Sequence, residues 1–229
     1  MPLLEDYPHL KIIQAIAQKR RVKVFLVGGF LRDRLLNRRC QDFDFAVSKG
    51  AIKLARLLAS RIKGAFILLD EEHGCARVAR KTTAGIVTYD FADYRASTLK
   101  KDLEHRDFTI NTLCVDLNSL KDPDSIPKVL IDHKCALRDI QARKIKMVMK
   151  QAFQEDPLRL VRAFSLQANL GFKIDPKTFQ AVKKMARGIR EVSHERVRDE
   201  LVKMFTGPDR KSTRLNSSHS AKSRMPSSA

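Results

Sequence analysis

The 229-residue chain predicts an α/β (α+β) fold, a mixed β-sheet domain over residues 1–150 followed by a small all-α domain over 151–206. Three observations predict it. Short β-rich segments alternate with helical patterns through the first 94 residues, a helical texture with identifiable starts and stops sets in near residue 151, and apolar residues all but vanish after Phe205.

The elements follow in order. Residues 9–19 carry a helical pattern, and Val22–Val27 (VKVFLV) is an apolar strand running into a second helix at 30–36. Asp42–Val47 (DFDFAV) alternates with strand period, and 51–61 is again helical. Ala65–Leu69, Cys75–Ala79 and Ile86–Ala92 read as strands, with EEHG at 71–74 as a hairpin turn between the first two. In the second part, Pro157 sits at a first-turn position and Gly171 caps the helix ending at Leu170. Asp175-Pro176 and Ser193 each open a further helix. There is no internal repeat.

Residues 207–229 (GPDRKSTRLNSSHSAKSRMPSSA) are too poor in apolar residues to bury a core, so they are expected to be a disordered tail. Their abrupt change of texture resembles cloning-vector or adaptor sequence, and they carry no weight in the fold.

Composition narrows the function. Lys and Arg number 45 against 26 Asp and Glu, a net charge of +19, with a pI near 10.1. The tail holds five basic residues and one acid, so 19 − 4 leaves +15 on the first 206 residues. Such an excess favours a polyanionic partner, and with 7% aromatics and no Trp it would be gripped through phosphates. No apolar run nears the roughly 20 residues that span a bilayer, and MPLLEDYPHLK has no signal-peptide pattern. The expectation is a soluble, cytoplasmic protein without a membrane partner. Cys40, Cys75, Cys114 and Cys135 form no CxxC pair, which leaves neither a zinc motif nor a disulfide framework.

Five segments can carry chemistry. LVGGFLRD (26–33) runs a strand through Gly28 and Gly29 into a helix bearing Arg32 and Asp33. Paired glycines let backbone N–H groups approach a polyphosphate, although a plain tight turn explains them as well. Neither GxGxxG nor GxxxxGK[ST] is present, which removes the main support for a Rossmann dehydrogenase or a P-loop ATPase. In DFDFAV the carboxylates of Asp42 and Asp44 project from one strand face while Phe43 and Phe45 pack on the other. Two like charges so close suit divalent metal ions, although 18 aspartates also produce such a spacing by chance, as at Asp122-Pro123-Asp124.

Asp90, in IVTYDFADYR, would join them if its strand neighbours theirs; otherwise it is a strand-end charge facing water. HRDFTIN (105–111) is similar to the protein-kinase catalytic loop, but Asn111 follows Asp107 by four residues where a kinase needs five, and no D-F-G is present. What remains is Arg106, able to hold a phosphate or sugar, and Asp107, able to accept a ribose hydroxyl, at the start of a helix expected to continue as FTINTLCVDL. An N-capping Asp beside a surface Arg is the plainer alternative. In EDPLRLVR, Asp156, Arg159 and Arg162 fall on approximately one helix face, where a carboxylate and a guanidinium can read a nucleobase edge or merely form a surface ion pair.

Taken in order, LVGGFLRD, DFDF, TYDFADYR, HRDFTIN, EDPLRLVRAF with LGFKI, and HERVRDEL resemble class II tRNA nucleotidyltransferases and bacterial poly(A) polymerases. These belong to the DNA polymerase beta-like nucleotidyltransferase superfamily. The resemblance spans about residues 20–205 and implies a nucleotidyltransferase head domain with a helical neck. It implies that Asp42 and Asp44 bind two catalytic Mg2+ ions, with Asp90 in the third-carboxylate position. Gly28, Gly29, Arg32 and Asp33 would serve the nucleoside triphosphate, and Arg106 and Asp107 the sugar and phosphates. Asp156 and Arg159, with Arg162 nearby, would pair with incoming CTP or ATP in place of a nucleic-acid template. Glu195, Arg196 and Glu200 match a later, more structural motif.

The implied activity is template-independent addition of C and A to tRNA 3′ ends with release of pyrophosphate. Poly(A) synthesis, CC-only or A-only addition, and a truncated RNA-binding module without activity remain open. Three departures stand out: His105 replaces the usual Arg, Asn37 replaces a common Gly, and residues 132–135 lack a Gly pair. The resemblance implies a head-and-neck portion and assigns no oligomeric state.

Overall fold

The computed structural model describes residues 8–83, 85–120 and 126–206. The tail expected to be disordered and the Asp122-Pro123-Asp124 loop lie outside the described residues. The chain divides into two compact units, the first running to Ala142 and including Met147–Met149, the second comprising Arg143–Lys146 and the residues from Lys150 on.

The first unit is built on a six-stranded mixed sheet. Its elements are α1 (His9–Arg20), β1 (Val24–Val27), α2 (Gly29–Leu35), β2 (Asp42–Val47), α3 (Ala51–Ile62), β3 (Ala65–Asp70), β4 (Cys75–Thr82) and β5 (Gly85–Asp93). Then come α4 (Leu99–Glu104), a 3-10 turn at Thr109–Asn111, β6 (Cys114–Asp116), α5 (Ile126–Val129) and α6 (Ala136–Gln141). The strand order is β3-β4-β5-β2-β1-β6, in which β2 and β5 run parallel and every other pair is antiparallel.

Sequence patterning explains the layers. All four β1 residues are buried because two strands flank it and both faces are covered. Alternation along β2 and β5 sends Phe43, Phe45, Tyr89 and Phe91 to one face, where Phe43 stacks on Phe30 at 4.4 Å and on Tyr89 at 5.3 Å, and Phe45 on Phe91 at 4.8 Å. Truncating such a buried ring to Ala costs about 3–5 kcal/mol. Helix α3 buries Leu54, Ala55, Leu58 and Ile62 at helical spacing and packs on β4 and β5, while α1 packs on α3. The Asp93 carboxylate accepts from the Ala51 amide at the start of α3. Burial pushes the Cys114 thiol up to about 12 and the Cys40 thiol up to about 11, and all four cysteines are free.

One expectation fails locally. The helix predicted to continue from Asp107 as FTINTLCVDL stops after a single 3-10 turn, and Cys114–Asp116 becomes strand β6. That segment pairs Val27, Leu26 and Phe25 with Cys114, Val115 and Asp116. Pairing gives the β1 edge a hydrogen-bonding partner that a helix could not, so tertiary context overrides the local pattern.

The second unit contains β7 (Lys144–Ile145), α7 (Ala152–Glu155), α8 (Leu158–Leu170), β8 (Lys173–Ile174), α9 (Pro176–Met185), a 3-10 stretch at Ala186–Glu191 and α10 (His194–Thr206). Its caps follow the sequence. Asp175 accepts from the amides of Lys177 and Thr178 with Pro176 in the first turn, and Gly171 closes α8 at φ 66°. The helices are joined by a two-residue parallel pair, β7 with β8, that the helical texture did not announce. No described helix is long and apolar enough to cross a membrane.

Candidate active site

The glycine turn between β1 and α2 is set by its backbone. Gly28 adopts φ 82° and ψ −141°, a region essentially closed to other residues, and its N–H donates to the Leu113 carbonyl. The Gly28 amide is therefore committed to the protein itself. A Cβ on Gly28 would lie 3.1 Å from Asp44 Oδ2 and 3.3 Å from Arg106 Nη1, so glycine leaves room where a carboxylate and a guanidinium converge.

Strand β2 supplies the acid pair. Asp42 and Asp44 share the sheet face opposite the Phe43–Phe45 core; Asp42 is exposed and Asp44 half-buried. The Thr88 hydroxyl of β5 donates to Asp42 Oδ1. In the parallel β2–β5 register Asp44 lies opposite Asp90, so the adjacency that sequence left open is present. Asp90 is nonetheless engaged: Arg77 of β4 donates from Nε to its Oδ1 at 2.7 Å and from Nη2 to its Oδ2 at 2.6 Å. Arg77 is held above its ordinary value, first by that hydrogen bond and then by the charges of Asp90, Asp42 and Asp44.

Among the described residues no group of three or more His, Cys, Asp or Glu gathers as a metal-holding set. Asp42 and Asp44 fit a divalent cation as a carboxylate pair, whereas a three-carboxylate site would have to displace the Arg77 fork from Asp90.

Beneath the turn runs a buried polar network. Arg32, 8% exposed, donates to Asp33 Oδ1 from Nε and to Asn111 Oδ1 from Nη1, so it points into the protein. The Asn111 amide nitrogen donates to Asp107 Oδ1, which also accepts from the Phe108 amide. Asp107 thus organises the 3-10 turn from a buried position instead of capping an exposed helix. Arg106 reaches from α4's end toward Gly28, with Nη2 3.9 Å from Asp102, and its buried Nε makes no hydrogen bond.

The base-reading candidates lie in the second unit. Asp156 is extended at the junction of α7 and α8, outside the helix on which even spacing had placed it, and it accepts from Arg196 Nη2 at 3.0 Å. Arg159 is buried, donating from Nη1 to the Ala152 carbonyl and lying 3.7 Å from Glu155. Arg162 lies 3.9 Å from the buried Glu200. These side-chain contacts of Asp156 and Arg159 go to different partners; α7 ends at Glu155 and α8 begins at Leu158, and the extended backbone of Asp156 between them turns its carboxylate toward α10. Glu195 lies exposed in the first turn of α10.

The departures from the family pattern have local explanations. Asn37 takes φ 55°, the left-handed conformation the usual Gly would adopt. Cys135 takes φ 57° where the Gly pair is missing, while Asp132 accepts from the amides of Lys134, Ala136 and Leu137. His105 closes α4, its amide donating to the Asp102 carbonyl.

Arg77, Thr88, Asn111 and Arg196 were not among the predicted site residues. Asn111 lies within HRDFTIN, and Arg77 reads only as a cation on a strand; nothing in the chain announces its pairing with Asp90, which depends on register.

Comparison with known proteins is consistent with this geometry. Residues 24–146 match the family described as "Poly A polymerase head domain", and residues 171–213 match "Probable RNA and SrmB- binding site of polymerase A". A CC-adding tRNA nucleotidyltransferase of Geobacter sulfurreducens is 37% identical over 201 residues, covering 88% of this chain and 44% of its own. An A-adding tRNA nucleotidyltransferase of Deinococcus radiodurans is 36% identical over 189 residues, covering 80% and 40%. The Thermotoga maritima CCA-adding enzyme, solved in complex with tRNA, superposes with a TM-score of 0.70 at 28% identity, covering 91% of this chain and 49% of that one. The chain thus spans about half the length of the relatives it matches or less.

Proposed function

Because the chain belongs to the poly(A) polymerase head-domain family, we propose that it carries the nucleotide-transferring part of an enzyme that adds C and A residues to tRNA 3′ ends from CTP and ATP. The observation that carries this is the convergence of Asp44, Gly28 and Arg106, with Asp42 on the same strand face. In the proposed reaction the RNA 3′ hydroxyl attacks the α-phosphate in line and pyrophosphate leaves, with no covalent enzyme intermediate.

Magnesium ions held by Asp42 and Asp44 would supply the charge that activates the hydroxyl and stabilises the leaving phosphates. The chain's own residues do the rest. The Gly28–Gly29 turn admits the triphosphate beside Asp44, and Arg106 offers its guanidinium to a phosphate. Arg32 and Asp33 brace the turn from below, and Asp107, locked by Asn111, presents a carboxylate to the ribose. Asp156 and Arg159 are assigned to the base, Asp156 as acceptor and Arg159 as donor, with Arg162 beside them. Each would exchange its present partner for the base.

Identity does not choose among products, since CC-adding and A-adding relatives are almost equally similar. A tRNA transcript ending before CCA, incubated with Mg2+ and CTP, ATP or both, decides. Addition that needs CTP, stops at three nucleotides and disappears in Asp42→Ala establishes CCA addition. A stop at two even when ATP is supplied with CTP assigns CC addition, and open-ended tailing with ATP alone assigns poly(A) synthesis. RNA binding that Asp42→Ala leaves intact, without any incorporation, overturns the enzyme reading for this chain.

A further inference from the structure

We propose that Arg77 binds a phosphodiester of the RNA 3′ end, and that Asp90 positions Arg77 instead of ligating a metal ion. The inference rests on the reading of Asp42 and Asp44 as the catalytic acid pair.

The sheet register places these groups in one row. Arg77 of β4 lies opposite Asp90 of β5, Asp90 opposite Asp44 of β2, and Asp44 opposite Val27 of β1, which leads into the Gly28 turn. Cross-strand partners share a face, so Arg77, Asp90 and Asp44 project together, and Asp42 and Thr88 form the next pair on that face. Arg77 and Gly28 therefore flank the acid pair on opposite sides. Two strand spacings put the Arg77 and Asp44 backbones about 10 Å apart, within reach of a long side chain and a bound nucleotide.

Asp90 is already satisfied. Both oxygens accept from the Arg77 fork, a bidentate and charge-assisted arrangement, and a metal ion there would face a guanidinium across the same carboxylate. Arg77 is not exhausted. Its side chain is 41% exposed, and Nη1 makes no hydrogen bond among the described residues, which leaves the outer edge of the fork open to an anion. A planar fork anchored on one side by a carboxylate is preorganised to take a phosphate on the other. The triphosphate is assigned to the Gly28 side, so the phosphate that meets Arg77 is the one on the opposite flank, belonging to the RNA whose 3′ hydroxyl attacks.

The test compares Arg77→Gln, Arg77→Lys, Asp90→Asn and Asp42→Asn in the full chain, each checked for cooperative thermal unfolding. Anisotropy titration of a labelled tRNA transcript ending before CCA, over a range of salt, reads RNA binding without needing turnover. Arg77→Gln is expected to weaken binding about three- to tenfold and to lower the salt slope by about 0.7–0.9, one phosphate contact. Asp90→Asn should shift both in the same direction by less, and Arg77→Lys should restore most of the slope. Mn2+ binding followed by electron paramagnetic resonance should be unchanged in Asp90→Asn and lost in Asp42→Asn.

An unchanged salt slope in Arg77→Gln, or loss of Mn2+ binding in Asp90→Asn, overturns the proposal. So does a transcript that the wild-type chain fails to bind. Retained Mn2+ binding in Asp42→Asn would instead remove the acid-pair reading, an outcome separate from the slope.

Discussion

Arg32 and Asn111, 79 positions apart, meet inside the first unit, where the guanidinium donates from Nη1 to the amide oxygen at 2.5 Å. Because Asn111 gives its nitrogen to Asp107 and its oxygen to Arg32, only one amide orientation satisfies both. The result is a rigid link from the helix after the glycine turn to the carboxylate assigned to the ribose. Asn111→Ala removes one acceptor of a buried guanidinium, which keeps Asp33, and should cost about 1.5–3 kcal/mol in urea unfolding. A loss below about 0.5 kcal/mol would show that Arg32 finds another acceptor.

Gly28 is the position least tolerant of a side chain. Gly28→Ala introduces a φ of 82° to a residue with a Cβ, and that Cβ meets Asp44 Oδ2 at 3.1 Å. A destabilisation of about 1–3 kcal/mol is expected, with a rise in the KM for nucleotide measured on the surviving folded fraction.

Asp42 differs from core residues in that it is exposed, so neutralising it should leave the fold nearly unchanged. Removing one of two like charges relieves repulsion, so Asp42→Asn is expected to melt close to wild type while nucleotide incorporation falls by about 10³-fold or more. Thr88→Val removes the hydroxyl that orients Asp42 and should lower kcat about tenfold or less with an unchanged melting temperature.

The Asp156–Arg196 contact is partly exposed and should contribute under about 1 kcal/mol. Arg196→Ala is therefore expected to leave stability nearly unchanged. Asp156→Ala should abolish discrimination between CTP and ATP against UTP and GTP, read in a four-nucleotide competition.

His9 makes folding stability depend on pH. Its Nε2 accepts from Arg80, which has no acceptor of its own, so the ring is neutral and Nδ1 donates to the Tyr89 hydroxyl. Burial, then the Arg80 charge, holds its pKa below the ordinary 6.5. The unfolded chain therefore binds the proton more readily. The contribution is present above pH 6.5 and is lost as pH falls toward the lowered folded value. Melting temperatures between about pH 7.5 and 5 should fall less steeply for His9→Phe than for wild type.

The local chemistry was legible in the sequence where it depended on period and on caps. Alternation in DFDFAV alone put Phe43 and Phe45 in the core and Asp42 and Asp44 on the other face, because successive side chains of a strand point to opposite faces of the sheet. Gly171, Asp175-Pro176 and Asn37 declared their turns because their backbone preferences are intrinsic. Tertiary structure decided what no local pattern encodes: that FTINTLCVDL yields a strand to cover β1, and that Asp90 lies beside Asp44 yet is held by Arg77. It also turned Asp156 toward Arg196. Those outcomes depend on which strands become neighbours and in what register, and a side chain's partner is set by the competition among all groups that the fold brings within reach.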